Sequence, residues 1–131
     1  YVDGELVTTY SCDGLIVSTP VGSTAHCLSA GGPILRNSLD AFVILPISPH
    51  TLTLRPVVES AQRTIELIVP KSNEGTSLIA DGRVLCTLQA DDRVRIVRSQ
   101  ARFQSVEVRG QGYYRGLHDK LGWGGQIRKN I

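Results

Sequence analysis

The sequence contains no methionine and a single tryptophan, and aromatic residues make up only 5% of it. It opens on Tyr1-Val2-Asp3-Gly4, already strand-like. A native start needs an initiator methionine, and a bulky tyrosine after it would hinder its removal. The expectation is therefore a fragment whose N-terminal part is missing. No apolar run approaches the roughly 20 residues that a membrane-spanning helix needs, and no basic-then-apolar leader opens the chain. Neither membrane insertion nor export is expected, so the expected location is the cytoplasm. Cysteine is scarce too: Cys12, Cys27 and Cys86 are an odd count without paired spacing. That argues for reduced thiols and against a disulfide frame or a zinc site. Charge of one sign is also lacking, because 14 Lys and Arg face 12 Asp and Glu for a net +2. A scattered balance of this kind excludes nucleic acid as the main partner, since that partner wants a concentrated basic face.

What remains is an ordinary globular composition of one domain's length, 41% hydrophobic and 20% charged over 131 residues. The pattern is short strands between turn signals. Asp3-Gly4 predicts a hairpin turn leading into a strand over 5–10. Further strands are predicted over 15–19, 42–45 and 54–58, with Pro56 placing the last of these at an edge or a bend. The alternation of Ile65, Leu67 and Val69 predicts a half-buried strand over 64–69. Asp81-Gly82 predicts a second hairpin between 77–80 and 84–88. Strands over 93–98 and 103–108 complete eight or nine. The expected class is all-β, a multi-stranded β-sandwich.

One segment breaks this pattern. Ser23 to Ala30 holds no Gly or Pro and lies between Gly22 and Gly31-Gly32-Pro33. Ser23 suits an N-cap, and Gly31 with Pro33 suits a stop. A two-turn helix is expected there, launched by Thr19-Pro20-Val21-Gly22 at a strand end. Such a turn offers backbone N–H groups to an anion. Asp13 before the strand can accept hydrogen bonds from a ribose diol, and the ring of His26 can stack on a base. On generic spacing alone, a turn acid, an N-cap and a helix interior are the favoured explanation of these residues.

The same residues carry a resemblance. Asp13-Gly14-Leu15-Ile16-Val17-Ser18-Thr19-Pro20-Val21-Gly22-Ser23-Thr24-Ala25-His26, followed by Ser29-Ala30-Gly31-Gly32-Pro33, closely resembles the signature of the NAD kinase family. Leu45-Pro46-Ile47-Ser48-Pro49-His50-Thr51-Leu52 with Arg55-Pro56 resembles that family's Pro-Ile-Cys-Pro-His stretch. Asp81-Gly82-Arg83 stands where the family has Asp-Gly-Gln. Lys120-Leu121-Gly122-Trp123-Gly124 resembles its C-terminal Lys-Leu-x-Trp. Four motifs in order, end to end, are far more specific than any one.

The resemblance implies the C-terminal, NAD-binding β-domain of a two-domain kinase that phosphorylates the 2′-hydroxyl of the adenosine ribose of NAD to give NADP. The family's N-terminal α/β domain carries a Gly-Gly-Asp-Gly motif with the activating Asp, and an Asn-Glu or Asn-Asp pair lies between the domains. Gly-Gly-Asp-Gly does not occur in this chain. Asn73-Glu74 reads as a solvated loop between Lys71 and Gly75. No catalytic residue and no metal ligand is therefore expected here, and the fragment alone is expected to be inactive. Donor (ATP or polyphosphate) and Mg²⁺ or another divalent metal belong to the complete enzyme. Its partners are NAD, the missing N-terminal domain and further copies in a homodimer or homotetramer.

By the same resemblance, Asp13 should hydrogen-bond a ribose or nicotinamide group of NAD, held by its own or a neighbouring subunit. Thr24, Ala25 and His26 should line the adenosine side, with Ser29 one turn on, and Val21, Gly22 and Ser23 count with them. Ser48 and His50 should reach such a site from a partner subunit, and Asp81 and Arg83 should lie near the dinucleotide. Three residues depart from the family. Val21 replaces a hydroxyl residue. His26 replaces Tyr, keeping a ring and gaining a group that titrates near neutrality. Arg83 replaces Gln and adds a cation suited to a phosphate. The alternatives are the C-terminal domain of a diacylglycerol or sphingosine kinase, or a non-catalytic dinucleotide-binding module.

Elsewhere the plain readings are structural. Cys27 beside His26 is read as inert, because helix neighbours point to different faces. Gly110-Gln111-Gly112 with Tyr113-Tyr114 is read as a tight turn and His118 as a surface or cap residue. Arg93, Arg95 and Arg98 are read as a solvated face, Trp123 as packing the tail, and Arg128-Lys129 as a frayed end.

Overall fold

The structure is a computed structural model that describes residues 1–110 and 112–122. It divides into two compact units, 1–99 and 100–131. The first is built of strands. β1 (Gly14–Ser18), β2 (Ala41–Ile47) and β3 (Val57–Ser60) form an antiparallel sheet in that order. β4 (Ile65–Ile68) pairs with β7 (Arg93–Ile96), and β5 (Ser77–Ala80) pairs with β6 (Arg83–Thr87), both antiparallel. The all-β class expected from the sequence is the class observed.

β2 is the centre of this unit, and its sequence says why. Phe42-Val43-Ile44-Leu45 is apolar without alternation, which is what a strand covered on both faces requires. Val43 and Leu45 point to one side, where they pack with Cys27 and Leu35. Phe42 and Ile44 point to the other, against Ala61, Ile65, Leu67 and Ile96. β1 divides likewise: Ile16 joins the first cluster, Leu15 and Val17 the second. One face of the sheet is thus covered by the segment after β1, the other by the β4–β7 pair. Pro46 is tolerated because β2 pairs with β3 only from Ala41 to Ile44. Beyond that point the strand has one neighbour and can lose an N–H.

The two Asp-Gly turns behave as their sequences predict. Asp3 and Gly4 have φ of 48° and 83°, Asp81 and Gly82 of 48° and 78°, the left-handed pair of a tight hairpin turn. The carboxylate of Asp3 accepts from Arg63 Nη1 at 2.7 Å and from the Thr64 N–H at 2.8 Å. These bonds, the Arg63 one foremost, hold its pKa below the usual carboxylate range.

Several expected elements form differently. The strand over 5–10 shrinks to one bridge between Val2 and Glu5, because no strand of the described residues lies beside Leu6 and Val7, which stay exposed. The strand over 54–58 begins only at Val57, once Pro56 is passed. No strand forms over 103–108, where Phe103 and Val106 stand in solvent. The count among the described residues is therefore seven. Arg98 is not merely solvated, since Nη1 lies 3.0 Å from Asp40 Oδ2.

In the second unit Tyr113 and Tyr114 open a helix, Tyr113–Leu121, rather than a turn. Gly122 ends it at φ 60°, donating its N–H to the His118 carbonyl at 3.1 Å. His118 and Lys120 lie in the last turn, where a cation meets the negative end of the helix. Gln111, Trp123 and Arg128-Lys129 lie outside the described residues. No helix of the described residues is long and apolar enough to cross a membrane.

Candidate functional site

The motif-rich stretch folds as strand, tight turn and broken helix. From Val21 to Thr24 the chain is a 3₁₀ turn, and α1 (His26–Ser29) follows it as a single α-turn. The continuous two-turn helix expected from 23 to 30 is thus interrupted at Ala25, whose φ and ψ of −103° and −126° are not helical. Nor is Ser23 an N-cap. Its side chain is 0% exposed, donating to the Pro20 carbonyl at 2.6 Å and accepting the Leu35 N–H at 3.0 Å. The hydroxyl spans from the turn to the return chain and is fully used there.

Two glycines are fixed by space. A Cβ on Gly22 would stand 2.7 Å from Ser18 Oγ, so the 3₁₀ turn can fold back on β1 only without one. A Cβ on Gly32 would meet Cys27 Sγ at 2.4 Å and the Cys27 carbonyl at 2.7 Å. The stop itself is a Schellman motif. Gly32 N–H donates to the Cys27 carbonyl at 2.8 Å and Gly31 N–H to Leu28 at 3.0 Å, with Gly31 at φ 84°. Cys27 lies buried beneath this stop, which raises its thiol pKa; His26 beside it is exposed. The inert reading of that thiol fits both facts.

The structure sorts the candidate residues into three places. Val21, Thr24, Ala25, His26 and Ser29 stand at the C-terminal end of β1, on or beside the 3₁₀ turn and α1, with Gly22 and Ser23 beneath them. Asp13, Ser48 and His50 gather at the opposite end. Asp81 and Arg83 sit on the β5–β6 turn. At about 3.3 Å per residue, the path from Asp13 to Thr19 spans roughly 20 Å. No single ribose or phosphate can bridge the two ends.

The Asp13 end is the most organised. β1 pairs Gly14 with Ile47, and the Asp13 N–H donates to the Ile47 carbonyl at 3.0 Å. Ser48 then turns the chain at φ 45°, a left-handed conformation costly for a serine. That turn brings His50 back beside the start of β1. Its N–H donates to the Ser11 carbonyl at 2.9 Å, and its ring lies between Ser11 Oγ and Asp13 Oδ1. Both Asp13 and His50 are open to solvent, their side chains 67% and 59% exposed. Ser11 is the residue that motif reading missed. No local period marks it, because the chain bends at Cys12 and Asp13 before β1 begins.

An open hollow lined by Val2, Asp3, Leu6, Glu59 and Arg63, among others, holds none of the candidate residues. Its charged pair is already spent on the Asp3-Gly4 turn.

Comparison with known proteins now decides the family. The model of the ATP-NAD kinase C-terminal domain matches residues 1–108. The chain belongs to that family. It is 60% identical to an NAD kinase of Rhodopirellula baltica over 127 residues, and 45% identical to that of Geotalea daltonii over 123. These matches cover 97% and 94% of the chain but only 41% and 43% of the relatives. The chain thus spans about two fifths of the length of the curated relatives it matches. Among solved structures, yeast NADH kinase complexed with NADH matches all of the chain with a TM-score of 0.81 and 26% identity, over 41% of its own length. An Archaeoglobus fulgidus NAD kinase in complex with ATP matches 76% of the chain at TM-score 0.66 and 37% identity, over 38% of its own length. The lipid-kinase alternative receives no support from these comparisons.

Proposed function

We propose that this chain is the NAD-binding part of an NAD kinase, which transfers a phosphoryl group from ATP to the 2′-hydroxyl of the adenosine ribose of NAD. The observation that carries this reading is the likeness, over the whole chain, to a kinase solved with NADH. The relatives' greater length supports a further N-terminal α/β domain with the activating carboxylate. In this reading residues 1–131 are the C-terminal β-domain, inactive alone, in a cytoplasmic homodimer or homotetramer.

Phosphoryl transfer needs positioning and neutralised charge more than covalent help from the protein. This chain supplies positioning. Thr24, Ala25, His26 and Ser29 take the adenosine side of one NAD, with Val21 beside them; Gly22 and Ser23 shape that turn from beneath. The Asp13 end, roughly 20 Å away, serves a dinucleotide held mainly by a second copy. Arg83, with Asp81 on the exposed β5–β6 turn, offers a cation to a phosphate. Among the described residues no three or more His, Cys, Asp or Glu side chains gather as metal ligands. The divalent ion of the reaction, Mg²⁺ or another, is assigned to the rest of the complete enzyme.

The test uses the full-length protein with NAD, ATP and Mg²⁺, read by a dehydrogenase that accepts only NADP. Product is expected, and Asp13→Ala should raise KM for NAD by about ten- to a hundredfold, the worth of a hydrogen bond to a charged group. Folded protein that forms no NADP from ATP or polyphosphate would overturn the reading. NAD binding without turnover would leave the non-catalytic module.

A further inference from the structure

We propose that Ser11 is a positioning residue for the dinucleotide: through the ring of His50 it fixes the carboxylate of Asp13 in the orientation that receives a ribose hydroxyl pair. This rests on the NAD-binding reading given above and assigns a role to a residue outside the motifs.

The chain bends at Cys12 and Asp13 as it enters β1, and Ser11 and Asp13 border a common space there. His50 fills that space. It is held at three points: its N–H on the Ser11 carbonyl at 2.9 Å, ring Nδ1 3.0 Å from Ser11 Oγ, and ring Nε2 3.2 Å from Asp13 Oδ1. The chemistry of the three groups then settles who donates. An ionised carboxylate only accepts, so Nε2 carries a proton and donates to Asp13. In a neutral ring Nδ1 is then an acceptor, and the Ser11 hydroxyl donates to it. Were the ring to take up a second proton, the same hydroxyl would rotate and accept from Nδ1. The chain of bonds thus survives in either state, because the serine hydroxyl can either give to Nδ1 or receive from it.

Two consequences follow for a ligand. Both ring nitrogens of His50 are engaged, so His50 acts through Asp13 rather than as a direct hydrogen-bonding contact. Asp13 Oδ1 is tied to the ring, while Oδ2 and the remaining lone pair of Oδ1 stay available on a side chain open to solvent. A vicinal diol matches that acceptor pair. An untethered exposed aspartate would lose rotamer freedom on binding; one already held by His50 has less to lose.

Three proteins decide the matter: full-length wild type, Ser11→Ala and Ser11→Thr, with ¹⁵N-histidine labelling. In the wild type, His50 is expected to carry a proton on Nε2, with the Nδ1 resonance shifted by its bond to the Ser11 hydroxyl. Ser11→Ala should remove that Nδ1 shift. It should also weaken NAD binding by calorimetry, and raise KM for NAD, by roughly fivefold, the worth of one hydrogen bond. The KM for ATP and kcat should hold. Ser11→Thr, which keeps the hydroxyl, should restore both readouts. A lost Nδ1 shift with unchanged NAD affinity would overturn the positioning role and leave the kinase reading standing. An unchanged Nδ1 shift would overturn the Ser11–His50 bond itself. A wild type that neither binds nor phosphorylates NAD would overturn the kinase reading, and this inference with it.

Discussion

β2 and the β5–β6 hairpin are made of similar residues and have opposite fates. Val43 in β2 is 0% exposed, while Ile79, Val84 and Leu85 in the hairpin are 59%, 66% and 61% exposed. Both form strands, because β-branched and apolar residues suit a pleated backbone wherever a partner strand can pair. Burial is a separate matter. β2 has β1 and β3 beside it, with a core cluster on each face. Among the described residues the hairpin pairs with no further strand, and its register past the tight Asp81-Gly82 turn is irregular, leaving Leu85 opposite no single partner. Local sequence thus specifies a strand without specifying what covers it.

The largest way to test that contrast is inside the first cluster. Leu45→Ala should cost about 2–5 kcal/mol, the usual range for a buried leucine cut to alanine, measured by urea unfolding of the chain. A loss below 1 kcal/mol would mean that the face over Leu45 is looser than its burial indicates. Next comes the polar anchor on the same side of the sheet. Ser23→Ala strands the buried Leu35 N–H and should cost about 1–3 kcal/mol, read in the same unfolding experiment. Ser23→Thr would not rescue it, because the added methyl has no room at a fully buried position. The smallest effect belongs to the hairpin, where Val84→Ser should change stability by less than about 0.5 kcal/mol. A cost approaching that of Leu45→Ala would break the comparison, since it would mean that the hairpin's apolar face is covered in solution.

Legibility from sequence followed the range of the forces involved. The turns at Asp3-Gly4 and Asp81-Gly82 were readable because left-handed φ values are a property of those residues themselves. β4 and β7 were readable from alternation, β5 and β6 from the Asp81-Gly82 turn between them, and β2 from its unbroken apolar run. The strands expected over 5–10 and 103–108 failed because a strand needs a neighbour, and neighbours are not written in the local pattern. The helix at 113–121 was missed although Gly122 and Lys120 marked its end, since the Gly110 and Gly112 turn signals drew the reading away. Ser23 was typed correctly as a residue that bonds backbone groups, but its partners proved to be Pro20 and Leu35 rather than the N–H groups of its own helix.

The candidate site divides the same way. Order and identity of the motif residues were enough to point to the family, because the stretch from Asp13 to Pro33 combines residues whose spacing chance rarely repeats. Sequence alone determined the strand-turn-helix order, the glycines at 22, 31 and 32, and the acid at 13, each a matter of local backbone space or chemistry. Only the tertiary structure decided that this one stretch is drawn out into two separate places, since a strand five residues long stands between them. Only it decided that His50, 37 residues from Asp13 in the chain, joins Ser11 to Asp13. Antiparallel pairing of β1 with β2 and the left-handed turn at Ser48 bring those atoms together, and pairing between distant segments is a property of the folded chain alone.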